Sequence, residues 1–205
     1  MKAHQAMMMF LLMLGMVAPL PVIASANDDV VRPEILVLYL SRTKNTKAIA
    51  EMIHKRVGGD LVALELASPY PDDFWEAVRR VHRENDLNTL PHLKTTFTDI
   101  RQYDTVFVGF PTWSMRLPPP FKTFFEQYDL SDIRVIPFNT HSGHGVGRGF
   151  EQVAELCTGC DVLNGLSILS GPDPEEQKFR ITDQKEEEVE SRVVNWLLRL
   201  GYHFD

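Results

Sequence analysis

The sequence predicts an α/β fold in which a parallel β-sheet carries helices on both faces. Short apolar runs alternate along the chain with segments whose apolar residues recur at helical spacing. The first run, residues 35–40, is apolar throughout, as expected of a strand that is covered on both faces. Strands that alternate with helices favour a parallel sheet, because each crossover helix returns the chain to the same edge.

Each element of this fold rests on a local pattern. Apolar runs predict strands over residues 35–40, 61–66, 105–110, 133–139 and 162–169. Helical spacing and start signals predict helices over 47–57, from about Asp72, after the prolines 118–120, from about Gly149 and from Asp183. Asp72 and Asp183 are expected to cap their helices, and Gly58 and Gly59 to end the first one. Residues 85–103 are weakly patterned, so we expect them to be mostly irregular.

The second and last helices have apolar stripes with informative neighbours. The inner stripe of the second helix is predicted to be Phe74, Val78 and Val81. Three arginines of this helix are expected to form a solvated face, namely Arg79, Arg80 and Arg83. The last helix has the strongest periodicity in the chain, with a stripe of Val189, Val193, Trp196, Leu197 and Leu200. Trp75 and Trp196 lie on or beside these stripes, so both are expected in the core.

The composition is that of one globular domain with a substantial core. The chain has 205 residues, of which 44% are hydrophobic and 24% are charged, and its formal net charge is −7. An acidic chain without a basic stripe interleaved with aromatic residues is not expected to bind nucleic acid. No internal repeat or low-complexity segment divides the sequence.

The first 26 residues have the features of a secretory signal peptide. Lys2 precedes an apolar segment over residues 7–17, and Ala24-Ser25-Ala26 provides a small-residue cleavage pattern. A retained membrane anchor is the alternative, but the apolar segment is short for a span and is interrupted by prolines. Without a cysteine near the cleavage point, the sequence favours a periplasmic or secreted protein that is not inserted in the membrane. A polar leader, 27–33, would then precede the domain, 34–205.

A hydroxyl-rich turn connects the first predicted strand to the first helix. Its residues are Ser41, Arg42, Thr43, Lys44, Asn45 and Thr46. Hydroxyl and backbone N–H donors at a helix N-terminus attract an anion, because the helix dipole is positive there. The pattern therefore favours a phosphate site. The alternative is an ordinary strand-to-helix turn in which Thr46 merely caps the helix.

Two further loops follow strands and are expected at the same edge of the sheet, where such folds bind ligands. The loop after the third strand, residues 111–117, offers Trp113 as a flat apolar surface. The loop after the fourth strand contains Gly143, Gly145 and Gly147, which permit close backbone approach to a planar ligand. A phosphate site beside a flat apolar surface indicates a mononucleotide. The glycine spacing does not fit a dinucleotide fingerprint.

Three segments, in order, resemble the flavodoxin-like family. They read ILVLYLSRTKNTK (35–47), GFPTW (109–113) and VIPFNTHSGHGVG (135–147). The resemblance covers essentially all of the chain that follows the signal peptide. It implies a flavodoxin-like three-layer fold with a five-stranded doubly wound sheet, in strand order 2-1-3-4-5, that binds FMN and moves electrons.

The resemblance also implies roles for residues of all three loops. Ser41, Thr43, Asn45 and Thr46 would contact the FMN phosphate. Independently of the resemblance, Arg42, Lys44 and Lys47 place positive charge near this turn. Pro111, Thr112, Trp113 and Ser114 would flank the isoalloxazine ring on one side, and Thr140, His141, Ser142, Gly143 and Gly145 on the other. Lys44 stands where the family usually has glycine, and Ser114 and Met115 stand where it often has tryptophan and glycine. If residue 44 needs a positive φ, we expect backbone strain there.

Cysteine and histidine pairs are the remaining candidates for chemistry. Cys157 and Cys160 form a C-x-x-C pattern, which in an exported protein is expected to form a local disulfide or to stay structural. A redox dithiol coupled to flavin is less favoured, because a helix C-terminus raises the pKa of a thiol. His141 and His144 have ligand-like spacing, but without an adjacent cysteine or carboxylate they favour a flavin-lining loop over a metal site.

The sequence therefore predicts an FMN-binding electron carrier of the cell envelope that exchanges electrons with a redox protein or a small molecule. One rival interpretation is an FMN-dependent reductase of quinones or other small acceptors, although no nicotinamide fingerprint is present. The other is a non-redox binding module that has kept the fold and lost the flavin. Simple electron transfer requires no catalytic acid or base from the chain.

Overall fold

The computed structural model describes residues 34–171 and 178–204, and it shows a parallel sheet between two layers of helices. The predicted signal peptide and polar leader lie outside the described residues. The strands are β1 (Ile35–Tyr39), β2 (Asp60–Ala63), β3 (Thr105–Pro111), β4 (Arg134–His141), β5 (Asp161–Val162) and β6 (Leu166–Leu169). The helices are α1 (Asn45–Val57), α2 (Phe74–Asp86), α3 (Pro119–Gln127), α4 (Gly149–Leu156) and α5 (Asp183–Arg199), with one 3₁₀ turn over Ile100–Gln102.

The sheet has the expected strand order. Strands β2, β1, β3, β4 and β5 are successive parallel neighbours, and β6 also pairs with β4. Val37 of β1 lies opposite Phe107 of β3, which lies opposite Ile136 of β4. The predicted order 2-1-3-4-5 is thus confirmed, and it brings the carboxyl ends of β1, β3 and β4 to one edge of the sheet.

Two apolar cores cover the two faces of the sheet. On one face α1 and α5 bury side chains that include Ile49, Ile53, Val189, Val193, Trp196 and Leu197. On the other face α3 and α4 bury side chains that include Phe121, Phe124 and Val153. The predicted stripe of the last helix is confirmed, with Leu200 at its partly buried end. Within the described ranges, no helix combines the length and the apolar character needed to cross a bilayer.

The predicted fifth strand, 162–169, is two short strands rather than one. Both pair with β4: Val135 lies opposite Val162 of β5, and Phe138 lies opposite Leu166 of β6. Between these two pairs β4 takes three residue steps, whereas the β5–β6 segment takes four. The extra residue forms a bulge beside Pro137 of β4. Proline has no N–H to give to a ladder, so regular pairing is interrupted there.

Strand β2 ends at Ala63, before the predicted end at Leu66. Beyond Ala63 the chain pairs with the segment that precedes the 3₁₀ turn. The Lys94 N–H donates to the Glu65 carbonyl at 2.8 Å, and Leu66 forms an isolated antiparallel bridge with Leu93. The weakly patterned region therefore supplies an edge partner that sequence periodicity did not indicate.

Both predicted helix caps are wrong by one residue. Asp73, not Asp72, caps α2, because its side chain accepts a hydrogen bond from the Glu76 N–H at 2.7 Å. Thr182 precedes α5, and Asp183 is the first residue of that helix. The cap is the residue whose backbone is still extended, and two adjacent capping residues look alike in sequence.

The expected environments of Trp75 and Arg80 are also wrong. Trp75 is 54% exposed on the outer side of α2, whereas Trp196 is buried as expected. Arg80 does not lie on a solvated face, because its Nε donates to the buried Glu84 carboxylate at 2.7 Å. Both residues lie at the margins of the apolar stripe, where neighbouring segments rather than helical spacing decide burial.

Cys157 and Cys160 form a disulfide at the end of α4. Cys157 is buried in the core beneath this helix. The Cys160 N–H donates to the Cys157 carbonyl at 3.2 Å, which closes the turn between the two cysteines. The bond fixes the turn that connects α4 to β5.

Candidate functional site

The three loops meet at the carboxyl edge of the sheet and border a cavity of about 420 Å³. This volume is typical of sites for small molecules and cofactors. Twelve of the predicted binding residues line the cavity, namely Arg42, Thr43, Asn45, Thr46, Pro111, Thr112, Trp113, Ser114, Thr140, His141, Ser142 and Gly145. Ser41, Lys44 and Gly143 belong to the same loops but are not among the described residues that line it.

Two further walls of the cavity were not assigned from the sequence. One is the inner face of α2, formed by Phe74, Ala77, Val78 and Val81. The other is the connection between β6 and α5, with Ser170, Gly171, Lys178 and Arg180, while Met115 and His144 complete the lining. The α2 stripe was visible as periodicity, but periodicity does not tell what a buried face packs against. The connection before α5 carries no local signal of binding.

Lys44 has a left-handed backbone conformation at the end of the first loop. Its φ is +66°, and it is the N-cap residue of α1, so the helix begins at Asn45. Within the described residues the Lys44 side chain makes no capping hydrogen bond, and the first-turn N–H groups have no intrahelical acceptor. Ser41 Oγ is also buried without a hydrogen-bond partner in the described part of the chain. An anion bound at this helix N-terminus would accept hydrogen bonds from these donors.

Asn45 is buried, and its side chain joins the first loop to the segment before α5. Asn45 Nδ2 donates to Thr43 Oγ1 at 2.8 Å and to the Lys178 carbonyl at 2.9 Å. Asn45 Oδ1 accepts a hydrogen bond from the Arg180 N–H at 2.8 Å. Both N–H groups of the amide are used within the protein, so Asn45 acts in this structure as a positioning residue for its neighbours.

Buried hydroxyl and amide groups tie the ends of the strands together. Thr46 Oγ1 and Thr140 Oγ1 are 2.8 Å apart, which joins the start of α1 to β4. Asn139 is fully buried and donates to Thr112 Oγ1 at 2.9 Å. Thr112 Oγ1 in turn donates to the Gly145 carbonyl at 2.9 Å. This network holds the second loop and the third loop in register with each other.

The second loop contains a tight turn at Ser114 and Met115, whose φ values are +49° and +58°. The Arg116 N–H closes the turn by donating to the Trp113 carbonyl at 2.9 Å. Two consecutive positive φ values are the pattern of a type I′ turn, which usually takes Asn-Gly. The third loop packs directly against this turn, because a Cβ at Gly147 would overlap the Met115 carbonyl oxygen.

Trp113 is held in place by a polar cluster behind it. The ring of Tyr70 meets Trp113 edge-on, with centroids 5.0 Å apart and an interplanar angle of 81°. The Tyr70 hydroxyl donates to Glu84 Oε2 at 2.5 Å, and burial together with this hydrogen bond raises the pKa of Tyr70 far above its ordinary value. The Arg80 guanidinium lies 4.3 Å from the centroid of the Tyr70 ring. The cluster therefore orients an aromatic surface that faces the cavity.

His141 presents a neutral imidazole at the cavity. Its Nδ1 accepts hydrogen bonds from the Gly143 N–H at 3.1 Å and from the Gly145 N–H at 3.2 Å, so the ring proton lies on Nε2. Burial lowers the pKa of His141, and the charges of Arg192 and His144 lower it further. Geometry and electrostatics thus both favour an uncharged ring with one N–H donor.

Arg42 lines the cavity but is bonded to the segment before α2. Its Nη2 donates to the Pro71 carbonyl at 2.8 Å and to the Asp72 carbonyl at 3.1 Å. Burial lowers the pKa of Arg42, while the carboxylates of Asp72 and Asp73 raise it. The guanidinium thus connects the first loop to the start of the α2 wall.

The described residues that line the cavity do not include the disulfide, which lies at the end of α4. Within residues 34–171 and 178–204, no group of His, Cys, Asp and Glu side chains is arranged to hold a metal ion. The cavity therefore combines a helix N-terminus, an aromatic surface, an apolar wall and one neutral histidine donor.

The chain is similar in sequence to flavodoxins. The sequence model of a family described as flavodoxin matches residues 34–179. The flavodoxin of Synechocystis sp. is 28% identical over 103 residues, which are 49% of this chain and 45% of that protein. The matched region thus spans less than half of the length of this relative.

Solved structures show the same architecture. A protein from Bacteroides eggerthii described as a flavoprotein aligns with a TM-score of 0.67 and 28% identity, over 83% of this chain and 99% of its own. A flavoprotein from Lactobacillus acidophilus, solved in complex with FMN, aligns with a TM-score of 0.59 and 24% identity, over 66% of this chain and 92% of its own. The second likeness concerns the fold alone.

Proposed function

The chain belongs to the flavodoxin family, and on that basis we propose that it binds FMN in this cavity and carries electrons in the cell envelope. The supporting observation is that the three loops border one cavity of about 420 Å³. When bound, FMN would supply one- and two-electron redox chemistry, while the protein supplies binding and orientation.

The residues present fit both ends of FMN. The first turn of α1 offers N–H donors and the positive end of the helix dipole to a phosphate. The buried Ser41 hydroxyl, which lacks a partner among the described residues, is a further donor beside this turn. Trp113 and the α2 wall offer an apolar surface to a flat ring. His141 Nε2 provides one N–H for a polar edge of that ring without adding a charge.

Two features support export to an oxidising compartment. One is the signal-peptide pattern of residues 1–26, and the other is the disulfide between Cys157 and Cys160. Disulfides persist outside the cytosol and are rare within it. Fractionation of cells that express the full chain, followed by mass spectrometry, is expected to find a protein that begins at Asn27 in the envelope or the medium. A cytosolic protein that retains residues 1–26 would contradict export.

An FMN titration tests the cofactor. We expect saturable quenching of FMN fluorescence by the wild-type protein, and roughly tenfold weaker binding by Trp113→Leu through loss of ring contact. Trp75→Leu is the matched control, because it removes an exposed tryptophan that is not among the described cavity-lining residues. Absence of saturable binding at tens of micromolar FMN would overturn the proposal and favour a binding module that has lost the flavin.

A reductase of quinones or other small acceptors is the second candidate, and the α2 wall favours it. Phe74 and Val78 are part of an apolar surface in the cavity, and Met115, which also lines it, is 43% exposed. Stopped-flow reoxidation of the reduced holoprotein by a soluble quinone separates the candidates. A rate that saturates with quinone and falls in Val78→Asp would favour a reductase. A rate that rises linearly with quinone concentration and is unchanged by this substitution would favour a carrier.

A further inference from the structure

We infer that residues 178–180 form a cationic strap on the phosphate side of the cavity, held there by Asn45, and that the strap makes the site select phosphorylated flavin over riboflavin. Lys178 and Arg180 are the two cations of this strap. The selection rests on the proposed FMN binding, because it concerns which form of the flavin the same cavity prefers.

The position of the strap follows from the hydrogen bonds of Asn45. Its side chain donates to the Lys178 carbonyl and accepts from the Arg180 N–H, across 133 and 135 residues of sequence. The side-chain amide of Asn45 thus satisfies one backbone carbonyl and one backbone N–H of the strap, as the backbone of a neighbouring β-strand would. Asn45 is 4% exposed and is the first residue of α1, so these bonds place the strap beside the helix N-terminus.

The side chain of Arg180 runs along the wall of the cavity. Arg180 and Gly171 both line the cavity. A Cβ at Gly171 would lie 3.0 Å from Arg180 Cγ and 3.2 Å from Arg180 Cδ, so the absence of a side chain at residue 171 leaves room for the arginine. Lys178 lines the same cavity two residues earlier. The backbone of both residues is therefore held beside the first turn of α1, and both residues line the cavity.

A phosphate monoester is the ligand chemistry that fits this combination. The helix N-terminus and the hydroxyls provide uncharged donors, which serve many anions. Two cations add charge-assisted hydrogen bonds, which are about twice as strong as neutral ones and favour a dianion. Riboflavin has the same ring but ends in a hydroxyl group, so the strap would add little to its binding.

Calorimetric titration of the full chain with FMN and with riboflavin tests the strap. In Lys178→Gln/Arg180→Gln we expect FMN to bind at least about tenfold more weakly, and riboflavin to bind within about twofold of wild type. The matched control is Lys55→Gln/Arg199→Gln, which removes the same charge at the far ends of α1 and α5. It is expected to bind both ligands like the wild type.

Salt dependence provides a second readout. FMN binding by the wild type is expected to weaken with ionic strength, and this dependence is expected to be smaller in Lys178→Gln/Arg180→Gln. Unchanged FMN affinity in that variant, or an equal loss of affinity for FMN and riboflavin, would overturn the proposed role of the strap. A wild-type protein that binds neither flavin would instead overturn the proposed function, so the two failures are distinguishable.

The hydrogen bonds by which Asn45 holds the strap can be tested by a measurement that requires no ligand. Asn45→Ala removes the acceptor of the Arg180 N–H, so hydrogen exchange at the Arg180 amide is expected to accelerate strongly. Exchange at the Leu200 amide, which donates within the end of α5, is expected to stay unchanged as a control for global stability. Equal exchange at the Arg180 amide in the variant and the wild type would contradict the proposal that Asn45 holds the strap.

Discussion

At the scale of single residues, Lys44 holds the first loop in a conformation that most side chains avoid. Its φ of +66° lies in the left-handed region, which costs a non-glycine residue roughly 1–2 kcal/mol. The strain expected from a lysine at this position is therefore present in the structure. The residue keeps a positive charge next to a helix N-terminus, where an anion would benefit from it.

Two substitutions of Lys44 distinguish the effect of backbone strain on stability from the effect of the lysine charge. Lys44→Gly is expected to raise the free energy of unfolding by about 0.5–1 kcal/mol, because relief of strain exceeds the added entropy of the unfolded chain. Lys44→Ala keeps the strain and loses only the charge, so its free energy of unfolding is expected to match the wild type. Urea denaturation measures both. Equal stabilities for the two variants would show that the loop is not strained at this residue.

Tyr70 and Glu84 form the buried polar contact that supports Trp113. The Tyr70 hydroxyl is the donor to Glu84 Oε2, and Arg80 Nε is the donor to Glu84 Oε1. Glu84 is only 8% exposed, so a lost donor is poorly replaced by water. The position of the aromatic surface thus depends on a carboxylate that does not line the cavity.

Tyr70→Phe is expected to lower the free energy of unfolding by about 1–3 kcal/mol, because the carboxylate of Glu84 loses a hydrogen-bond donor. A double-mutant cycle with Glu84→Gln, followed by urea denaturation, isolates the pair. We expect the double variant to lose less stability than the sum of the two single variants. Strictly additive losses would mean that the hydroxyl and the carboxylate do not interact.

At the scale of elements, α2 is the part whose placement builds the apolar wall. Its start is fixed by the Asp73 cap and by Arg42, which binds the Pro71 and Asp72 carbonyls from the first loop. Arg80 donates to the Pro69 carbonyl from within the helix. The segment before α2 is thus bonded both to the first loop, through Arg42, and to the helix itself, through Arg80. The α2 wall therefore keeps its position relative to the first loop.

Adjacent aspartates provide a test of the cap. Asp73→Ala is expected to lower the free energy of unfolding by about 1 kcal/mol, since the Glu76 N–H loses its acceptor. Asp72→Ala is the comparison, because it keeps the backbone carbonyl that accepts from Arg42 and removes the carboxylate whose charge raises the pKa of Arg42. Thermal or urea unfolding gives both values. A larger loss in Asp72→Ala would assign the cap to the residue predicted from sequence.

At the scale of the whole molecule, protonation of His141 couples the cavity to global stability. The folded protein lowers the pKa of His141 below its ordinary value of 6.5, first through burial. The unfolded chain therefore binds more protons between these two pKa values, so stability increases with pH in that window. The contribution is complete above about pH 6.5 and is lost as the pH falls through the folded pKa.

Replacement of His141 by a residue that does not titrate tests this coupling. His141→Asn retains an acceptor near the position of Nδ1, and its stability is expected to vary less than that of the wild type between about pH 5 and 7. Urea denaturation at a series of pH values measures the profiles. Parallel profiles for His141→Asn and the wild type would exclude the coupling.

The sequence by itself determined the architecture of this protein. Uniformly apolar runs and helical stripes require two covered faces, and this requirement gives a parallel sheet whose loops meet at one edge. The loops that border the cavity could be predicted from the sequence for the same reason, since each directly follows an apolar strand. Ser41, Lys44 and Gly143 show the limit, because membership of a loop does not tell which of its residues line the cavity.

Only the tertiary structure decided what lies across from these loops. The α2 wall, the Tyr70 cluster and the strap are contacts between segments far apart in the chain, and no local pattern encodes their partners. Asn45 illustrates the difference: its position in a polar loop is visible in sequence, but its bonds to residues 178–180 are not. Short-range periodicity fixes which face of an element is buried, while packing between distant elements fixes the partner that buries it.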